Sequence, residues 1–97
     1  MTGKGLISLL LLCSPALAAE HPCEPVGEMA EAVMLSRQLG TPMAEVMFDA
    51  EVALLREMVI AAYIHPRWPE QARQTRAVAQ FRDRFERRCN QAQGPRP

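Results

Sequence analysis

The sequence predicts an all-α domain of three helices that is cross-linked by one disulfide. After Gly27, apolar residues recur at intervals of three and four, which is the spacing of amphipathic helices, and no comparable strand pattern competes with it. Cysteine usage predicts the disulfide, because an exported chain that has lost its leader would keep only Cys23 and Cys89. The total of 97 residues leaves room for one small domain.

Residues 1–19 have the organisation of a secretory signal peptide. Lys4 precedes a short apolar run, and the small-residue segment 16–19 follows it. The run is too short to span a bilayer, which needs about 20 apolar residues. We therefore expect cleavage after Ala18 or Ala19, a periplasmic or secreted location, and no membrane span once the signal is removed.

The three cysteines fit this interpretation. Cys13 lies inside the leader and is lost with it, so Cys23 and Cys89 are left to form a disulfide. Closing a loop of about 67 residues would contribute roughly 4 kcal/mol to stability. The alternative makes Cys13 the lipid-anchored cysteine of a lipoprotein, but Leu12 is not the small residue that such processing favours before it.

The first predicted helix spans Glu28–Leu39 and ends at Gly40, which can supply the left-handed residue that terminates a helix. The second begins at Thr41-Pro42, with the threonine as N-cap and the proline at the first helical position. It continues to about Ile64, before the next proline. Its two adjacent apolar rows predict that it is covered from two sides and is therefore the central helix.

The third predicted helix opens at Pro69 and continues to about Gln91. Its predicted buried stripe follows helical spacing and consists of Ala72, Thr75, Val78, Phe81, Phe85 and Cys89. The short turn before it makes helices two and three an antiparallel hairpin. The disulfide then requires either that the shorter first helix crosses that hairpin near its open end, which we favour, or that residues 23–27 run back along the first helix. The predicted organisation is a helical domain over residues 20–92 and a disordered tail over residues 93–97.

Charge is unevenly distributed along the mature chain. From Glu20 to Glu57 there are eight acidic residues and two arginines, whereas from Met58 to Pro97 there are three acidic residues and eight arginines. Such asymmetry can mark an interaction surface, or an acidic helix can lie against a basic one inside the fold, which we favour. The arginine-rich face is similar to a nucleic-acid footprint, but export and the acidic first half argue against nucleic acid as a partner.

The sequence contains no arrangement typical of catalysis. Its histidines and hydroxyl residues are not spaced for acyl or phosphoryl transfer, and the mature glycines stand singly rather than in a phosphate-binding loop. We expect a protein without enzymatic activity or cofactor. A copper site is the alternative, because cleavage after Ala18 would place His21 third from the new N-terminus, as square-planar Cu(II) binding requires. The mature methionines could add soft ligands, but they suit the core (29, 34, 43, 47 and 58).

The turn between predicted helices two and three is the candidate binding surface. It brings together Tyr63, Arg67 and Trp68, which include the only tyrosine and the only tryptophan of the chain. Aromatic residues and arginine are enriched at the energetic centres of protein interfaces. The alternative is that both rings pack over the turn and serve the fold alone.

One resemblance accompanies these observations. The order Cys23, Met34-x-x-Arg37-Gln38-x-Gly40, Ala62-Tyr63-x-x-Pro66, Phe81 and Cys89 is similar to that of small signal-peptide-bearing proteins of unknown function from proteobacteria and their phages. The resemblance implies a periplasmic location and no activity, and it transfers no functional residues.

We therefore expect an exported, non-enzymatic helical protein that binds another envelope or host protein. One alternative is a periplasmic copper-binding protein that uses His21, and another is a structural subunit of an envelope assembly. The sequence leaves the partner's identity and the oligomeric state open.

Overall fold

The computed structural model describes residues 22–94, in which four α-helices follow one another. They are α1 (Glu24–Gln38), α2 (Met43–Phe48), α3 (Ala53–Ile64) and α4 (Gln71–Ala92). The predicted all-α class is confirmed for this part of the chain, which contains no strand. The predicted signal peptide and residues 95–97 of the predicted tail lie outside the described residues.

The predicted second helix is two helices, so the prediction of three helices is wrong. The chain breaks at residues 49–52, where Val52 has an extended backbone with φ −104° and ψ 150°. The Arg56 guanidinium donates hydrogen bonds to the carbonyls of Ala50 and Glu51, both at 3.0 Å. Because these bonds satisfy carbonyls that a continuous helix would have paired with backbone N–H groups, the break needs no glycine or proline.

The central element is α1, which corrects the prediction of a central hairpin formed by the second and third helices. Helix α1 packs along α4 and also against α3, whereas the backbones of α3 and α4 do not approach each other comparably. The core combines buried side chains of all three of these helices: Ala30, Val33, Met34, Met58, Val59, Ala62, Phe81 and Phe85. The break at residues 49–52 divides the predicted second helix, with its two apolar rows, into the short helices α2 and α3, which lie beside α1.

The disulfide between Cys23 and Cys89 is confirmed, with the two Cα atoms 5.7 Å apart. It joins the start of α1 to the last turns of α4, and the other end of α1 meets the turn that precedes α4. Helix α1 therefore runs antiparallel along α4 instead of crossing a hairpin near its open end.

Close packing between α1 and α4 depends on Gly27. A Cβ atom at this position would collide with the Glu86 carboxylate and lie 3.3 Å from the Arg82 Cγ atom. The buried face of α4 is narrower than predicted: Phe81 and Phe85 are buried. Ala72 and Thr75 are exposed, and Val78 and Cys89 are half-buried.

Helix α1 ends as predicted at Gly40, whose φ is +88°. The Gly40 N–H donates to the Arg37 carbonyl at 3.1 Å, and the Thr41 N–H donates to the Ser36 carbonyl at 3.0 Å. This pair of bonds is the Schellman arrangement, which requires a left-handed residue at Gly40. Thr41 is not the N-cap of the next helix, because Pro42 occupies that position.

Candidate functional site

The turn before α4 is attached to the end of α1 by Gln38, which is 1% exposed. Its side-chain amide donates to the Pro66 carbonyl at 3.0 Å, and its side-chain oxygen accepts the Trp68 N–H at 2.9 Å. Its backbone carbonyl accepts a hydrogen bond from Arg67 Nε at 3.0 Å. Gln38 thus binds three consecutive residues of the turn. Sequence reasoning missed this role because the partners lie about thirty positions away.

Tyr63 is held by the same end of α1. Its hydroxyl donates to the Thr41 carbonyl at 2.6 Å, and the Arg37 guanidinium lies 5.3 Å from its ring centroid. Arg37 Nε also donates to the His65 carbonyl at 3.0 Å. Burial raises the pKa of Tyr63, and the positive charge of Arg37 opposes that shift. The hydroxyl of Tyr63 therefore makes its hydrogen bond within the protein.

Arg67 also contacts the end of α1. Its guanidinium lies against Gly40, where a Cβ atom would come within 2.8 Å of the guanidinium carbon. A positive charge at this place is favourable, because the last carbonyls of a helix carry partial negative charge. Of the three predicted residues, Tyr63 and Arg67 thus support the fold of the turn.

Trp68 is half-buried and lines two adjoining grooves. One groove, of about 220 Å³, is lined by Trp68, Arg73, Arg76, Ala77 and Gln80. The other, of about 230 Å³, shares three of these residues and is lined by Met34, His65, Pro66, Trp68, Ala77, Gln80, Phe81 and Arg84. We call the two together the Trp68 groove. Its second part reaches core side chains, so it has an apolar floor.

The backbone of Trp68 is held by two hydrogen bonds, and its indole contacts Arg73. The Arg73 guanidinium lies 5.0 Å from the indole centroid, in cation–π geometry. The Gln74 side-chain amide donates to the backbone carbonyl of Trp68 at 2.6 Å. The side-chain oxygen of Gln38 accepts the backbone N–H of Trp68. The backbone that carries the indole is therefore ordered before any partner arrives, which lowers the entropic cost of binding.

Part of the charge asymmetry is neutralised by ion pairs between helices. Arg82 of α4 pairs with Glu31 of α1 at 3.0 Å, and Arg88 of α4 pairs with Glu57 of α3. The contact between Arg88 and Glu57 holds the pKa of Glu57 below its usual range, chiefly through the hydrogen bond from Arg88. The interpretation that an acidic helix lies against a basic one is confirmed for α1, which carries three glutamates and one arginine, and α4.

The arginines around the Trp68 groove are not neutralised in this way. Among the described residues, the one ion-pair partner of Arg73 is the exposed Glu70, at 3.8 Å. Within residues 22–94, neither Arg76 nor Arg84 makes an ion pair. The groove therefore has a positively charged rim, which sequence reasoning noticed only as an excess of arginine in the second half of the chain.

The predicted metal ligand His21 lies outside the described residues, so the copper alternative stays a prediction. Met34 and Met58 are buried in the core, whereas Met43 is 39% exposed. Across residues 22–94 there is no group of three or more histidine, cysteine, aspartate or glutamate side chains that could hold a metal ion. None of the four helices is long and apolar enough to cross a membrane.

No protein-family model, curated protein or solved structure matches this chain. The resemblance to small signal-bearing proteins therefore stays a prediction. Several residues that carry it meet at the end of α1, where Arg37 and Gln38 contact Tyr63 and Pro66.

Proposed function

We propose that this protein is an exported, non-enzymatic helical protein that binds another protein through the Trp68 groove. The observation that carries the proposal is an indole on an anchored backbone beside Arg73, Arg76 and Arg84, next to an apolar floor. Tryptophan and arginine are the residue types that most often dominate binding energy at protein interfaces.

The chemistry of the groove selects the partner. Its positively charged rim favours carboxylates, which guanidinium groups bind with charge-assisted hydrogen bonds. Its floor, formed in part by Met34 and Phe81, favours a large apolar side chain. The partner is therefore an acidic segment that presents one bulky apolar residue.

Two further observations support export. Residues 1–19 have the pattern of a signal peptide. The disulfide joins Cys23 to Cys89, and such bonds persist mainly in oxidising compartments. An envelope or host protein is consequently the kind of partner that the groove would meet.

Trp68 provides a direct assay, because it is the only tryptophan and its fluorescence reports on the groove alone. The probe is a synthetic peptide in which one phenylalanine is flanked by aspartate and glutamate, added to the oxidised protein. We expect a saturable change in indole emission. Peptides with lysine in place of the acidic residues, or alanine in place of phenylalanine, should bind at least about tenfold more weakly.

A matched pair of arginine variants tests the rim. Arg76→Gln should weaken peptide binding about tenfold, because it removes a charge from the groove. Arg87→Gln removes an equal charge three turns further along the same face of α4 and should leave binding unchanged. An indole response to anionic phosphatidylglycerol vesicles but not to any peptide would contradict a protein partner.

A further inference from the structure

The segment around Phe48 has the chemistry that the Trp68 groove selects. Phe48 is 88% exposed, more than any other large hydrophobic residue among residues 22–94. Helix α2, which ends at this residue, contains no buried side chain. We call residues 45–52 the Phe48 segment. It carries Glu45, Asp49 and Glu51, none of which makes an ion pair within the described chain.

We infer that the Phe48 segment of one copy binds the Trp68 groove of a second copy, so that chains assemble head to tail. This inference rests on the proposed function and names the partner of the same site. The phenyl ring would contact the apolar floor, and the neighbouring carboxylates would face the arginines of the rim. The charge asymmetry of the sequence would then also stabilise the contact between copies, since the acidic half contributes one surface and the basic half contributes the complementary one.

The two surfaces lie on different sides of α1. A groove beside α2 is lined by Ala32 of α1, whereas the Trp68 groove is lined by Met34. Two positions along a helix correspond to a rotation of about 200°, so these side chains point in nearly opposite directions. Because the two surfaces face nearly opposite directions, one partner molecule does not reach both at once, so the contact is heterologous and generates open chains or rings rather than a two-fold dimer.

Sedimentation velocity of the oxidised protein, followed over a range of protein concentrations, tests the inference. We expect the average mass to rise with concentration at low salt. Association should weaken at least about tenfold at high salt, because the contact pairs exposed charges. Phe48→Ala should abolish association without changing the melting temperature, since the ring is exposed. Ile60→Ala removes another exposed apolar side chain, 51% exposed, and should leave association intact.

Mixing two variants separates a head-to-tail contact from a symmetric one. Phe48→Ala keeps the groove but loses the phenyl ring, and Arg76→Glu keeps the ring but reverses a charge in the groove. Each should be monomeric alone, and an equimolar mixture should form a one-to-one heterodimer that does not grow further.

Three results would overturn the inference: a monomer at every concentration, assembly that survives Phe48→Ala, or a mixture that stays monomeric. If the wild-type protein is monomeric but acidic peptides still change Trp68 fluorescence, the second copy is excluded and the proposed function stands. If neither response is seen, both proposals fail.

Discussion

Helices α4 and α2 are attached to α1 in opposite ways. Helix α4 is joined to α1 near both ends, by the Cys23–Cys89 disulfide at one end and, through the turn that precedes α4, by the hydrogen bonds of Gln38 at the other. Helix α2, by contrast, has no buried residue. The pair α1–α4 therefore forms a rigid frame that positions the groove, whereas α2 presents its side chains to the surroundings.

Phenylalanine shows the same contrast. Phe81 and Phe85 of α4 are 3% and 2% exposed, and their rings lie 5.0 Å apart. Full burial of such a side chain contributes roughly 1.5–3 kcal/mol. Phe48 of α2 is 88% exposed and contributes little to the fold. The residue type is shared, but in α4 it stabilises the core, and in α2 it is available for binding.

The largest expected effect comes from breaking the covalent end of the frame. Cys89→Ser should destabilise the protein by roughly 4 kcal/mol, because the crosslink restricts the unfolded chain over 66 positions. Denaturant unfolding of the oxidised wild type and the variant measures this loss. The double variant Cys23→Ser/Cys89→Ser should match the single one. Equal midpoints for wild type and variant would show that noncovalent packing alone holds α4 in place.

A smaller effect is expected at the other end of the frame. Gln38→Ala should cost about 1–3 kcal/mol, because it leaves the Trp68 N–H and the Pro66 carbonyl without their partner. Hydrogen exchange at the Trp68 amide should accelerate correspondingly. Gln80→Ala, which removes an exposed glutamine of α4, should change stability by less than about 0.5 kcal/mol. If Trp68 exchanges at the same rate in Gln38→Ala, the hydrogen bonds of Gln38 do not hold the turn.

The features that were predictable from sequence have local signals. Gly40 follows a run of helix formers and ends α1. Cys23 and Cys89 could pair only with each other once the leader was excluded. Phe81 and Phe85 are four positions apart on one face of a helix and are both buried. Spacing and residue type alone are sufficient for such features.

The features that were missed depend on contacts between distant residues. The break at residues 49–52 contains neither glycine nor proline, and Arg56 stabilises it from α3. The central position of α1 depends partly on the close approach of Glu86 to Gly27, which periodicity does not report. Helical spacing identifies faces of a helix, but it does not say which helix each face meets.

The residues of the candidate site also divide into those that the sequence predicted and those that only the fold identifies. Trp68 was found by composition, because it is the only tryptophan and lies in a turn. Arg73 and Arg76 were visible only as part of an excess of arginine. Which arginines pair with a carboxylate of another helix is decided by the packing, which selects Arg82 and Arg88. Only the fold therefore identifies the arginines that surround the groove.

The smallest expected effect concerns the link between α3 and α4, which tests whether a surface ion pair adds to the frame. Arg88 Nη2 donates to Glu57 Oε1 at 3.0 Å, and this hydrogen bond is the main reason why the pKa of Glu57 is lowered. A carboxyl whose pKa is lower in the folded state stabilises the protein above its unfolded-state pKa, and that contribution is lost as the pH falls through the folded-state pKa.

Glu57→Gln should therefore lower the melting temperature slightly at neutral pH and have no effect in strong acid, where the wild-type carboxyl is protonated. The effect is small because both side chains are about half exposed, so solvent screens the pair. Glu28→Gln removes an exposed carboxylate that makes no ion pair within residues 22–94, and should leave the melting temperature unchanged at both pH values. If the difference between Glu57→Gln and wild type persists unchanged in acid, Glu57 acts through packing against α4 and not through its charge.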